Sequence, residues 1–143
     1  RSQKVGEMRF EGEVIPPKSA TEYFDQSCWV GISQPTPNDI KAGIEILGIE
    51  KMMWGNDYPH EEGTHPFTRE HLRQVLGHLE PAQIQQILAG NAAEFYNFDL
   101  AALQPFADKY GPTVAEIAEP LTALPDGANQ ALERSAAQLA KAG

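Results

Sequence analysis

The sequence predicts an α/β fold built on parallel strands, and three observations carry that expectation. Two short apolar runs, residues 28–32 (CWVGI) and residues 49–54 (IEKMMW), have the length and the bounded ends of buried strands. Between them Ile40, Ile44 and Leu47 recur at i, i+4 and i+7, the spacing of an amphipathic helix. Strand, helix, strand in that order is the crossover unit that joins parallel strands.

Taken in order, residues 1–20 mix charge, glycine and the pair Pro16-Pro17 without any period, and they read as an extended arm or loop. Residues 21–26 suit a short helical turn that leads into the first strand, which Pro35 and Pro37 stop. Pro37, Asn38 and Asp39 stand where a helix would begin, and Gly48 stands where it would end. After the second strand and its loop, a helix is expected over residues 67–79, with Thr68 as its N-cap and Phe67, Leu72, Val75, Leu76 and Leu79 on its apolar face. His71 and His78 are seven apart on that helix, roughly 10 Å, too far to share one metal ion, and they read as exposed or half-buried. Pro81 opens a helix through Ile84, Ile87 and Leu88. Gly90 would end it, and Asn91 would cap another that finishes near Phe95 and Tyr96. Residues 100–143 are helical in character and broken by Pro105, Pro112, Pro120 and Pro125. Leu132 and Leu139, one heptad apart in the Ala-rich last stretch, are too few to make a coiled coil.

Composition narrows the function. A chain of 143 residues makes one domain rather than two. Its 20 acidic and 11 basic side chains give a net charge of −9 with no basic cluster, which argues against nucleic acid as a partner. No apolar run approaches the roughly 20 residues needed to cross a bilayer, and the first residues lack a signal-peptide core, so no membrane partner is expected. Cys28 is the only cysteine. It reads as a small buried hydrophobe in a reducing compartment, which points to the cytoplasm.

The chemistry gathers in one place. In parallel sheets, ligands collect outside the carboxyl ends of the strands, and Asn56, Asp57 and His60 follow the carboxyl end of the second strand directly. A carboxylate fixed there can ligate a divalent metal or take a proton from a metal-bound water; the plainer alternative is an Asp that caps its own turn. His60, Glu61, Glu62 and His65 are a dense run of ligand-type residues, but HEEGTH has no partner pair elsewhere and fails the helical H-E-x-x-H pattern. Glu61, Glu62 and His65 therefore read as loop surface, with His60 the exception because it stays near the strand. Ser33 lacks the context of a nucleophile elbow, and there is no glycine-rich phosphate loop. Trp29 and Trp54 read as sheet packing.

The stretches MMWGNDYPHEEGTHP and QQILAGNAAEFYNFD together resemble the carboxyl-terminal end of the amidohydrolase-2 family, the metal-dependent TIM-barrel hydrolases and decarboxylases related to aminocarboxymuconate semialdehyde decarboxylase. The W-G-S-D-Y-P-H element is matched at residues 54–60, with Asn56 in place of Ser, and the I-L-x-G-N-A-x-x-x-Y-x-F element at residues 87–98. EYFDQSCWVGIS is similar to the family's seventh strand and its approach. The resemblance implies the carboxyl-terminal portion of a (β/α)8 barrel, with its last two strand-helix units in residues 21–99 and a helical extension in residues 100–143. It also implies one divalent metal ion, usually zinc, with Asp57 as both metal ligand and catalytic carboxylate and His60 facing the substrate. Asn56 would still be able to hydrogen-bond a carboxylate. The family's H-x-H and its middle-strand histidines have no counterpart here, so the expected partners are the N-terminal portion of the same barrel and a small-molecule substrate, with a homodimer open beside them. The expected reaction is hydrolysis by metal-activated water. Non-oxidative decarboxylation of a small carboxylic acid on the same scaffold stays open beside it, as does a non-catalytic fragment that acts as a binding module.

Overall fold

The computed structural model describes residues 16–142, so the expected arm lies largely outside the described residues. Helix α1, Ala20–Ser27, starts from a capping box in which the Ser19 hydroxyl accepts the Glu22 amide and the Glu22 carboxylate accepts the Ser19 amide. The Cys28 amide closes this helix on Phe24 O at 2.9 Å. Strand β1 is therefore only Val30–Ile32, and Cys28 is exposed rather than part of the core. It sits at the helix-to-strand corner, before the covered face of the sheet begins.

Helix α2, Pro37–Leu47, begins with Pro37 at its first turn and ends at Gly48, whose φ of 85° lies in the left-handed region that favours glycine. Its cap is Thr36. The Thr36 hydroxyl accepts the Asp39 amide at 3.3 Å and donates to the Asp39 carboxylate at 2.6 Å. The bond from the Thr36 hydroxyl, and then the one the Thr36 amide donates to the same carboxylate at 2.9 Å, hold the Asp39 carboxyl below its ordinary range. The expected second strand is half the expected length. Ile49–Lys51 makes a 3₁₀ turn, in which the Lys51 amide bonds Gly48 O at 3.2 Å, and strand β2 is Met52–Trp54. The two strands run parallel, with Val30 opposite Met52 and Ile32 opposite Trp54, and the Gly55 amide extends the ladder to Ile32 O at 3.0 Å. These two strands are the whole of the described sheet, so a barrel is not seen.

One face of this sheet is covered. Met52, Ile32 and Trp54 pack toward a core of Ile40, Leu72, Val75, Leu76, Ile84, Ile87 and Ile117. Burying each large aliphatic side chain of this kind contributes roughly 1.5–3 kcal/mol. The other face is open: no described residue comes within 4 Å of a Cβ built at Gly31 or Gly55.

Helix α3, Thr68–Leu76, departs from expectation at two points. Thr68 does not cap it; Phe67 holds that position without a side-chain bond, and the Thr68 hydroxyl instead pairs with that of Thr64 at 3.0 Å. His71 is fully buried, because both α2 and the last helix pack on α3 and cover its face. His78 is exposed.

The next three segments form one helical path. Helix α4, Pro81–Gln85, runs through a π turn at Gln86–Gly90 into α5, Asn91–Tyr96. Gly90 has helical angles, φ −57° and ψ −52°, and so does not terminate a helix. Asn91 is not a cap: its own amide bonds Gln86 O, five residues back, which is the π turn itself. Helix α6, Leu100–Tyr110, is capped by Asp99 and continues through Pro105, where a break was expected. The whole helix is exposed, so water can solvate the carbonyl that Pro105 leaves unpaired. Helix α7 is Val114–Ile117, and α8, Gln130–Ala142, packs on α3 and α2 through Ala131, Leu132 and Ser135. No helix of the described residues is long and apolar enough to cross a membrane.

Candidate functional site

The site grows from the carboxyl ends of β1 and β2. Just past β1, Gln34 has φ 51°, and just past β2, Asp57 has φ 60°. Left-handed angles at non-glycine residues cost energy and persist only where surrounding bonds fix them. Here the two residues fix each other, since Gln34 Nε2 donates to Asp57 Oδ2 at 3.1 Å across the strand ends. Asp57 Oδ1 has no hydrogen-bond partner among the described residues, and the side chain is exposed. Asn56 does not hold the carboxylate. Its Oδ1 accepts the Tyr58 amide at 3.0 Å, a turn built on its own side chain.

The loop that follows is tightly bonded. The His60 amide donates to Asp57 O at 2.9 Å, the Gly63 amide to His60 O at 2.9 Å, and the Thr64 amide to Asn56 O at 3.2 Å. A Cβ at Gly63 would lie 2.9 Å from His60 O and 3.0 Å from both Asn56 O and Asp57 O, so no other residue fits there without moving backbone. Thr64 is fully buried at the centre of this knot. His60 is exposed, with its backbone bonded to that of Asp57. Glu61, Glu62 and His65 are exposed as well, and the His65 ring packs edge-on against Tyr58 with centroids 5.2 Å apart. Beside the strand end, Trp54, Gly55, Asn56, Thr68, Leu72 and Leu88 help to line a largely apolar hollow of about 460 Å³.

Five contributors were not evident from the sequence. Asn91 is buried, and its Nδ2 donates to Ile49 O at 2.7 Å and Met52 O at 2.8 Å, pinning the start of β2 to the helix behind it. His71 lies beneath the strand ends, its ring centroid 5.8 Å from that of Trp54, and neither ring nitrogen has a hydrogen-bond partner among the described residues. Burial first, and then the charge of Arg134, push its pKa from 6.5 down to about 4; the nearby Pro35 carbonyl opposes them without completing a hydrogen bond. Gln34, Asn129 at the start of α8 and Arg134 within it are the others. Gln34 alone left a sequence signal, because it follows closely on the carboxyl end of β1 as Asp57 does on that of β2.

As a metal centre the described residues are incomplete. Among them, no group of three or more His, Cys, Asp or Glu side chains could hold an ion. Asp57 offers one carboxylate oxygen, which suits a single position in the ligand set of a hard or borderline divalent cation.

An α/β unit that sets a carboxylate at the carboxyl end of a parallel strand has the layout of the enzymes whose sites lie on that face of the sheet. The amidohydrolase family model matches residues 22–98, more than half of the chain and including both β1 and β2 with the Asp57 loop; the chain belongs to the amidohydrolase family. No curated protein and no solved structure matches it.

Proposed function

We propose that this chain supplies the last-strand carboxylate of a metal-dependent amidohydrolase acting on a small organic substrate. The observation that carries the reading is Asp57, held at the carboxyl end of β2 by the Gln34 amide with one oxygen left unbonded. When bound at such a site, a divalent ion, zinc by preference, would supply the acidity that activates water for attack on the scissile bond. The Asp57 oxygen that Gln34 leaves unbonded would be the one to hold the ion or to accept a proton from water. Gln34 keeps the carboxylate turned toward the mouth of the strands, and the bonded loop holds His60 at the rim, where its ring can face the substrate.

Two open features support a partner that completes the site. Parallel sheets are normally covered on both faces, yet Gly31 and Gly55 mark an uncovered one. Phe95, Tyr96, Phe98, Leu103 and Phe106 add exposed apolar surface on α5, α6 and the turn between them. Both suit the N-terminal portion of the same barrel, which would bring further strands and the remaining ligands.

Metal analysis of the intact protein tests the reading. The expected result is close to one divalent ion per chain, lost in Asp57→Ala while the helical circular dichroism signal stays intact. Retention of the ion by that variant would refute the role of Asp57. Release of CO₂ from small carboxylic acids, with no hydrolysis of amides or esters, would move the reaction to decarboxylation on the same residues.

A further inference from the structure

We propose that α8 is a positioning strap for the Asp57 loop, with Asn129 and Arg134 as its two positioning residues. This inference rests on the reading of Asp57 given above. Helix α8 lies beyond residues 22–98, the span matched by the family model, yet its bonds go directly to the site. Asn129 Nδ2 donates to Gly63 O at 3.1 Å and to His65 O at 3.3 Å, while its Oδ1 accepts the Leu132 amide at 3.1 Å. One side-chain amide thus starts the helix and grips the loop together.

Arg134, one turn further on, donates through Nη2 to the carbonyl of Gln34. Gln34 is the residue whose amide holds Asp57 Oδ2, so α8 reaches the carboxylate through a single intermediate. Behind these contacts the helix is anchored by Ala131, Leu132 and Ser135, all buried. Apolar packing alone would hold α8 against α3 without direction. The directional bonds instead end on Gln34 and on the Asp57 loop, at the carboxyl ends of both strands.

The test compares Arg134→Ala, Asn129→Ala and the conservative Arg134→Lys with the intact protein, using hydrogen exchange and Zn²⁺ affinity. The amides of His60, Gly63 and Thr64 are expected to exchange about tenfold faster in the two alanine variants, with core amides of α3 unchanged and Arg134→Lys close to the parent. Zn²⁺ affinity is expected to fall about tenfold in the alanine variants, as it does when a group that orients a ligand is removed. Unchanged loop exchange overturns the strap. So does a uniform rise across α2, α3 and α8, which would mark ordinary structural support, or faster loop exchange with Zn²⁺ affinity intact while Asp57→Ala abolishes it. If Asp57→Ala leaves Zn²⁺ affinity untouched while the alanine variants still loosen the loop, the metal reading fails and the strap stands as a loop anchor.

Discussion

Acidification should destabilise this protein through His71, and the size of the effect follows from its surroundings. The imidazole is fully buried with neither nitrogen hydrogen-bonded among the described residues, and its pKa falls from 6.5 to about 4. The unfolded chain therefore takes up a proton near pH 6.5, and the folded chain only near pH 4. Stability is then complete above pH 6.5 and is lost as the pH falls through the window between the two values. The loss attributable to this one group is about 2 kcal/mol between pH 7 and pH 5, and about 3 kcal/mol by pH 4. Three other histidines and many carboxylates also titrate, so the measurement must be a difference. Urea unfolding at pH 7 and pH 5 would be compared in the parent protein and in His71→Leu, which has a similar volume and no ionisable group. The variant should be no less stable than the parent at pH 5 and should lose about 2 kcal/mol less on going from pH 7 to pH 5. Equal losses in the two proteins would show that His71 is hydrogen-bonded or already charged, and the argument would fail.

Three further outcomes are expected. Asn91→Leu should cost about 2–4 kcal/mol in chemical unfolding, since it leaves the carbonyls of Ile49 and Met52 without their donor. Gly63→Ala should cost about 1–3 kcal/mol, because the three carbonyls around it are backbone, and a thermal melt would show it. Cys28 should react with a thiol reagent in the folded protein at close to the rate seen in denaturant; a thiol protected by folding would contradict its exposed position.

The features legible in the sequence are the local ones. Ile40, Ile44 and Leu47 gave the period of α2, Pro37 and Gly48 gave its ends, and the apolar run before Asp57 put that residue at a strand terminus. Features that depend on distant partners left little trace. Gln34 meets Asp57 across 23 residues and Arg134 meets Gln34 across 100, and no local pattern reports either pairing. His71 reads as exposed or half-buried because an amphipathic period marks the apolar face of a helix and not whether a later helix will cover the rest. Cys28 misled for the opposite reason, since an apolar neighbourhood in the chain became a corner in space. The π turn was missed because Gly90 followed by Asn91 is a common way to end one helix and start another.

That π turn fixes spacing as well as shape. Five residues occupy a turn that an ordinary helix fills with about four, so everything after Gly90 is rotated by about 100° from where an uninterrupted helix would put it. Ile84 faces the core from before the offset and Ile87 from its first residues, and Asn91 reaches β2 from after it. Deleting Leu88, Ala89 or Gly90 would leave that pair in place and swing the amide of Asn91 off the strand. The length of this segment is thereby as constrained as its composition.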